Sequence, residues 1–264
     1  YAAVTKFDAN LDAAAQLPVL FAQAFREATT GTPRPVHLDL LGLSGEAIET
    51  DTLDAALIVD PKFSSTPALR PEPEPAALKE AARLIEAAEK PVIVAGRGAV
   101  TSSAASGVLA LAERLSIPVA TSNDGKGLIV ETHPLSVGVA GSYSCRCANQ
   151  VVSEADLVIY IGCSAGDQVT LDWTIPAPGT KIIHIDIDPG QLGRSYGNTF
   201  GLMGDAKVAL EKLMPCLGQT KPNDAWTDRV QEIVKEWKET IAPLKDSDAV
   251  PMRPERLCKA LEDM

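Results

Sequence analysis

Histidine, aromatic residues and positive charge are all scarce in this chain of 264 residues. It has three histidines, 5% Phe, Trp and Tyr together, and 24 Lys and Arg against 35 Asp and Glu. No basic block of the kind that follows a phosphate backbone occurs, so nucleic acid is not an expected partner. No apolar run approaches the roughly 18 residues of a membrane helix. The N-terminal stretch YAAVTKFDANLDAA lacks a basic region followed by an apolar one and does not read as a signal peptide. No membrane partner is expected on either count.

The five cysteines, Cys145, Cys147, Cys163, Cys216 and Cys258, are odd in number and widely spread. That pattern argues against a disulfide scaffold and for a reducing compartment, the cytoplasm. Cys145 and Cys147 are one residue apart, which is neither CxxC redox spacing nor the usual half of a zinc site, and they read as plain thiols. His37, His133 and His184 have no second histidine at ligand spacing, so no metal site is expected. A G-x-S-x-G nucleophile turn and a Walker lysine motif are also missing. No catalytic constellation can be assembled.

What remains is ordinary globular composition, 45% apolar and 22% charged, with a formal charge of -11. An acidic chain can still hold a phosphorylated cofactor, because main-chain N–H groups at a helix start supply positive potential locally.

Periodicity organises the chain. QLPVLFAQAFREATTGTPRPVHLDLLG predicts a helix over 17–29 and a strand over 36–40, an α–β unit too small to bury both its faces. From 46 to 74 periodicity is weak, and Pro67, Pro71, Pro73 and Pro75 suggest an extended connector. AALKEAARLIEAAEK is amphipathic, with Leu78, Ala81, Ala82 and Ile85 on one stripe. Strands are then expected over 92–95, 117–120, 157–161 and 181–187, with FGLMG as a fifth, separated by helices. Near-continuous apolar strands between amphipathic helices mark an α/β fold, a parallel sheet with helices on both faces. LGQTKPND reads as a linker, AWTDRVQEIVKEWKETI as a helix burying Trp226, Val230, Ile233, Val234 and Trp237, and RPERLCKALEDM as a further helix start. The two tryptophans read as packing residues.

Glycine and short polar residues gather at the expected strand ends. Gly96-Arg97-Gly98 follows the first strand of the sheet and precedes a helix expected to begin near Ser102. Glycines there let the backbone turn sharply and aim helix N–H groups at a phosphate, although Thr101 breaks the full G-x-G-x-x-G. Gly138, Gly141 and Ser142 form a second small-residue turn. Gly162, Ser164, Gly166 and Asp167 follow the third strand, and Asp186 and Asp188 end the fourth, where a carboxylate can accept from ribose hydroxyls or serve as a local cap. Asp205 is a natural N-cap for the last helix of the sheet. His184, inside an apolar strand, reads as structural.

The order and spacing of KPVIVAGRGAV, IPVATSNDGKGLIVETHPLSVGVAG, ANQVVSEADLVIYIGCSAGDQV, KIIHIDIDPGQLGRSY and FGLMGDAKVALEKL resemble the thiamine-diphosphate enzymes of the acetolactate synthase and pyruvate oxidase group. The resemblance covers 75–217 as their Rossmann-like central domain. It implies that 1–45 is the end of a pyrimidine-binding domain, 46–74 a connector, 218–250 a linker with a helix, and 251–264 the start of a diphosphate-binding domain. It further implies a parent that uses thiamine diphosphate and Mg2+ to join or cleave carbon–carbon bonds in 2-oxo acids. The activating glutamate would precede Tyr1 and the GDG…N motif would follow Met264. The chain by itself would then be inactive, its partners being the rest of the same enzyme and other copies in a homo-oligomer.

In the central domain the resemblance implies a site for the ADP part of FAD, for coenzyme A or for ADP, or no ligand. Its walls would be Gly96, Arg97, Gly98, Thr121, Ser122, Gly141, Ser142, Gly162, Ser164, Asp186, Ile187, Asp188, Asp205 and Ala206. Flavin-binding members carry arginines where this chain has Ser164 and Gln168, which weakens the FAD assignment. Two other readings of the residues stay open: a flavin- or nicotinamide-binding redox module, and a structural or regulatory domain without ligand.

Overall fold

The structure, a computed structural model, describes residues 1–40, 60–218 and 224–264. It divides into two compact units, Tyr1–Glu72 and Pro73–Met264. The first 14 residues of the expected connector, 46–59, and most of the LGQTKPND linker lie outside the described residues.

In the first unit, β1 (Phe7–Leu11) pairs in parallel with β2 (Val36–Leu40), and α1 (Leu17–Thr29) joins them. The helix and the second strand match the spacing read from the sequence. The first strand does not announce itself: FDANL alternates polar and apolar residues, and only Leu11 is fully buried.

The second unit carries a six-stranded, all-parallel sheet. Its strands are β3 (Pro91–Ala95), β4 (Val119–Thr121), β5 (Ser136–Val139), β6 (Leu157–Ile161), β7 (Lys181–Asp186) and β8 (Thr199–Met203). They lie in the order β5-β4-β3-β6-β7-β8. Alternate residues of the central strands point to opposite faces, and both faces are apolar. Ile93, Ala95, Ile159, Ile161, Ile183 and Ile185 pack into one cluster, while Val92, Val94, Val158, Tyr160 and Ile182 pack into another. Burial on both sides explains why these strands read as continuous hydrophobic runs rather than alternating ones.

Helices cover both clusters. On the first face lie α2 (Pro75–Glu86), α4 (Ala105–Leu115) and α6 (Ala206–Leu213), entered after the short α3 (Arg97–Thr101). On the second lie α5 (Arg146–Glu154) and α7 (Asp224–Lys245). Trp226 is buried there and its indole N–H donates to the Pro91 carbonyl at 2.9 Å, so it is a packing residue with a satisfied polar edge. Val234 and Trp237 are only partly buried against the same cluster. A last helix, α8 (Pro254–Glu262), is tied to the end of α7 by Lys245–Glu262 and by Lys259–Asp246.

The structure departs from the expected elements in two further places. Ser136–Val139 is a strand, although Gly138 adopts φ +87 and the register with its neighbour shifts there. The helix expected near Ser102 starts at Arg97, breaks where Ser103 takes φ 57, and resumes at Ala105.

Candidate functional site

Strand order places the site. Chain direction across the sheet reverses between β3 and β6, so the connections leaving these neighbours diverge to opposite sides and open a crevice at their C-terminal ends. Gly96 ends one strand and Gly162 the other. A Cβ on Gly96 would overlap the Gly162 carbonyl, one on Gly98 would lie 2.8 Å from Gly162 Cα, and one on Gly162 would overlap the Ala99 nitrogen. These glycines therefore let two turns pack backbone to backbone.

That packing changes the chemistry expected of Gly96-Arg97-Gly98. The Gly98 N–H donates to the Gly162 carbonyl at 2.8 Å, Gly96 N–H to Ile161 at 3.0 Å, Ala99 N–H to Gly96 at 3.1 Å, and Gly162 N–H to Ile185 at 2.8 Å. The amides of Gly96, Gly98, Ala99 and Gly162 are thus satisfied within the protein. Arg97, by contrast, is exposed at the crevice.

The second glycine turn is closed in the same manner. Gly141 adopts φ +106 against the Gln168 carbonyl, which accepts the Ser142 N–H at 2.8 Å. Asn149, from α5, clamps this turn: its Oδ1 accepts from Gly141 N–H at 2.7 Å and its Nδ2 donates to the Gly141 carbonyl at 2.9 Å. Thr121 is buried, whereas Ser122 is half-buried and caps the turn Asn123–Gly125 through Gly125 N–H. Ser142 and Ser164 are exposed.

At the end of β7, Asp186 is buried and accepts from Asp188 N–H at 2.9 Å; Asp188, half-buried like Ile187, accepts from Gly190 N–H at 2.9 Å. Burial pushes the Asp186 carboxyl up, helped by the charge of Asp188 and opposed by main-chain donors. Asp205 and Ala206 are buried at the start of α6. Asp205 caps that helix through Val208 N–H at 3.1 Å and accepts from Ser102 Oγ at 2.8 Å.

Three features were missed by the sequence reading. Arg194 donates to the Ser164 carbonyl at 3.3 Å, bringing a guanidinium to the loop that follows β6. Leu171, Asp172 and Trp173 are consecutive non-glycine residues at φ 50, 53 and 58, a left-handed turn that exposes Trp173. Each such residue costs roughly 1–2 kcal/mol. The turn is secured by Asp172 N–H to the Asp167 carbonyl at 2.8 Å and Trp173 N–H to Thr170 Oγ1 at 3.1 Å. The third feature is the setting of Cys145 and Cys147, described below. Hydrophobic periodicity is blind to all three.

His184 lies beneath this surface, 2% exposed, with Nε2 lacking a hydrogen-bond partner and 3.8 Å from Asp186 Oδ2. Burial pushes its pKa down, and the charge of Arg194 adds to the effect. A depressed folded-state value gives stability that is present above the ordinary value of about 6.5 and lost as pH falls through the folded value. The raised Asp186 acts in the opposite sense, with its contribution present only below the ordinary carboxylate value of about 3.9 and lost as pH rises. Between pH 7.5 and 5.5 His184 therefore lowers stability as pH falls, in the same sense as Cys145, whose thiol is lowered to about 6, and replacing His184 removes its share alone. The urea midpoint of the native chain should fall more over this interval than that of His184→Gln; parallel curves would remove His184 as the cause.

Parallel strands in this order, with glycine turns at the reversal, define a doubly wound, Rossmann-like α/β domain. The chain belongs to the thiamine pyrophosphate enzymes: the model of the family described as "Thiamine pyrophosphate enzyme, central domain" matches residues 78–213. A probable acetolactate synthase large subunit of Methanocaldococcus jannaschii is 37% identical over 99% of this chain and 44% of its own length. A probable 2-ketoarginine decarboxylase of Pseudomonas aeruginosa is 34% identical over 92% of this chain and 42% of its own, and a glyoxylate carboligase of Escherichia coli O157:H7 is 30% identical over 96% and 42%. The chain thus spans less than half the length of these relatives.

Proposed function

We propose that this chain is the middle portion of an enzyme that uses thiamine diphosphate to join or cleave the bond beside the carbonyl of a 2-oxo acid, with the chain serving as scaffold and as a site for a nucleotide. The observation that carries this reading is the agreement of all five motifs with one sheet, in a chain of this family. The relatives, a synthase, a decarboxylase and a carboligase, support the reaction class without choosing within it. Thiamine diphosphate, when bound, supplies carbanion stabilisation. Mg2+ and the diphosphate, which together need only one or two carboxylates beside the phosphate oxygens, are proposed to be held by other parts of the parent enzyme; among the described residues no three or more His, Cys, Asp or Glu side chains converge. The cytoplasm is the proposed compartment and a homo-oligomer the proposed assembly of the parent.

For the crevice we infer an adenine nucleotide held by side chains. With the Gly96, Gly98, Ala99 and Gly162 amides satisfied internally, ADP or the ADP part of FAD or coenzyme A would meet Arg97, Ser122, Ser142 and Ser164, with Asp188, just past the end of β7, as the acceptor for ribose hydroxyls. Calorimetric titration with ADP, FAD and coenzyme A, beside thiamine diphosphate plus Mg2+, tests this. One adenine ligand should bind, and Arg97→Glu should weaken it by roughly tenfold, the loss of one charge-assisted contact. Silence from all three would overturn the nucleotide assignment. Tight binding of thiamine diphosphate would overturn its placement outside these residues. For the reaction class, the complete enzyme carrying this segment should release CO2 from a 2-oxo acid only when thiamine diphosphate is present.

A further inference from the structure

Cys145 is the N-cap residue of α5 and Cys147 its second helical residue. The Cα–Cα distance of an i, i+2 pair depends on the residue between them. Arg146 is helical, so the separation is about 5.4 Å from helix geometry. That value falls within the roughly 4.4–6.8 Å spanned by disulfides. Both sulfurs also sit over the same short stretch of β5. Cys147 Sγ donates to the Val137 carbonyl at 3.4 Å, and a Cβ built on Gly138 would lie 2.8 Å from Cys145 Sγ. A bare glycine thus leaves room for the outer sulfur. Cys145 is half-buried and reachable, while Cys147 is 4% exposed.

The geometry points to Cys145 and Cys147 as a peroxide-oxidised dithiol that closes to a disulfide across the start of α5. The thiolate of Cys145 attacks one oxygen of hydrogen peroxide, the O–O bond breaks, and the second oxygen leaves as water after taking a proton. Cys145 is then a sulfenic acid. Cys147 attacks its sulfur, an S–S bond replaces the S–O bond, and a second water departs with the Cys147 proton. Two thiols are oxidised and one peroxide is reduced.

The surroundings favour Cys145 as the attacking thiol. The neighbouring Cys147 thiol lowers its pKa to about 6 against the cost of burial, and an interaction with the Val139 backbone adds to the lowering. The charged groups facing it, Lys126 and Glu131, are paired with each other at 2.5 Å and largely offset. Cys147 is held well above the usual thiol range by Cys145 and by burial, which suits a proton-bearing partner. Cys163 is unlike either: burial, with the charges of Asp186 and Asp124 adding to it, pushes it up to about 12.

The test uses the reduced chain, exposed to hydrogen peroxide at pH 7 and then alkylated with iodoacetamide. The chain should lose two hydrogens, and trypsin, which cuts after Arg146, should leave the peptides on either side joined by a reducible bond. Cys145 should be consumed faster than the exposed Cys258, since a thiol lowered to about 6 is mostly thiolate at pH 7 and has a second thiol at hand to resolve its sulfenic acid. Cys147→Ser should accumulate a dimedone-reactive sulfenic acid on Cys145, and Cys145→Ser should leave Cys147 reduced. Equal rates at Cys145 and Cys258 in the native chain would overturn the proposal, as would over-oxidation of Cys145 with Cys147 still free.

Discussion

Gly162→Ala should destabilise the sheet-bearing unit by about 2–5 kcal/mol, the sum of a left-handed alanine and an overpacked contact that no rotamer change can relieve. The glycine adopts φ +54, and the atom a Cβ would strike is the Ala99 backbone nitrogen, not the flexible end of a side chain. Relief requires β3 and β6 to part at their C-terminal ends, where Gly98 N–H binds the Gly162 carbonyl. Gly127→Ala provides the control: φ is +86 there and nothing lies within 4 Å of the added carbon, so only the backbone cost of about 1–2 kcal/mol should appear. Urea midpoints followed by circular dichroism compare the two. If Gly162→Ala were no worse than Gly127→Ala, the close approach of the two turns would be wrong.

Asp205→Ala should cost about 2–4 kcal/mol, combining a lost helix cap with a lost charge-assisted bond in a buried setting. Asp205 is 2% exposed, and its oxygens accept from Val208 N–H and from Ser102 Oγ. Ser102 Oγ accepts in turn from Lys207 N–H at 2.9 Å. The pair thus ties the turn after α3 to the start of α6, and removing the Asp205 carboxylate takes away the acceptor of Val208 N–H and of Ser102 Oγ. Asp205→Asn keeps an acceptor for Val208 and should recover most of the loss. A neutral Asp205→Ala in thermal and urea unfolding would show that the cap is dispensable.

The parts of this fold that the sequence reveals are those governed by burial. Val92, Ile159 and Ile183 sit in strands covered on both sides, and their runs are legible for that reason. Ser136–Val139 is short, contains a glycine in a left-handed conformation and lies at the sheet edge, so neither alternation nor a run marks it. Phe7–Leu11 is similarly masked by its polar residues. At the site, the glycines are legible because strand ends need them, yet a G-x-G signature does not say whether the neighbouring amides face a ligand or another turn. Arg194 and Trp173 reach the strand-end loops from segments without periodicity, and only tertiary structure brings them there. The spacing of Cys145 and Cys147 looked chemically idle because the conformation of Arg146, which sets their separation, is not written in the motif.

The internally satisfied strand ends have one more consequence. Because Gly96, Gly98, Gly141 and Gly162 complete their own hydrogen bonding, the framework does not depend on an occupant to close it. The exposed side chains above, Arg97, Ser142 and Ser164, can be exchanged by mutation without reopening the turns beneath them. Evolution can therefore retune, replace or abandon the guest of such a domain while the architecture that joins its neighbours stays intact.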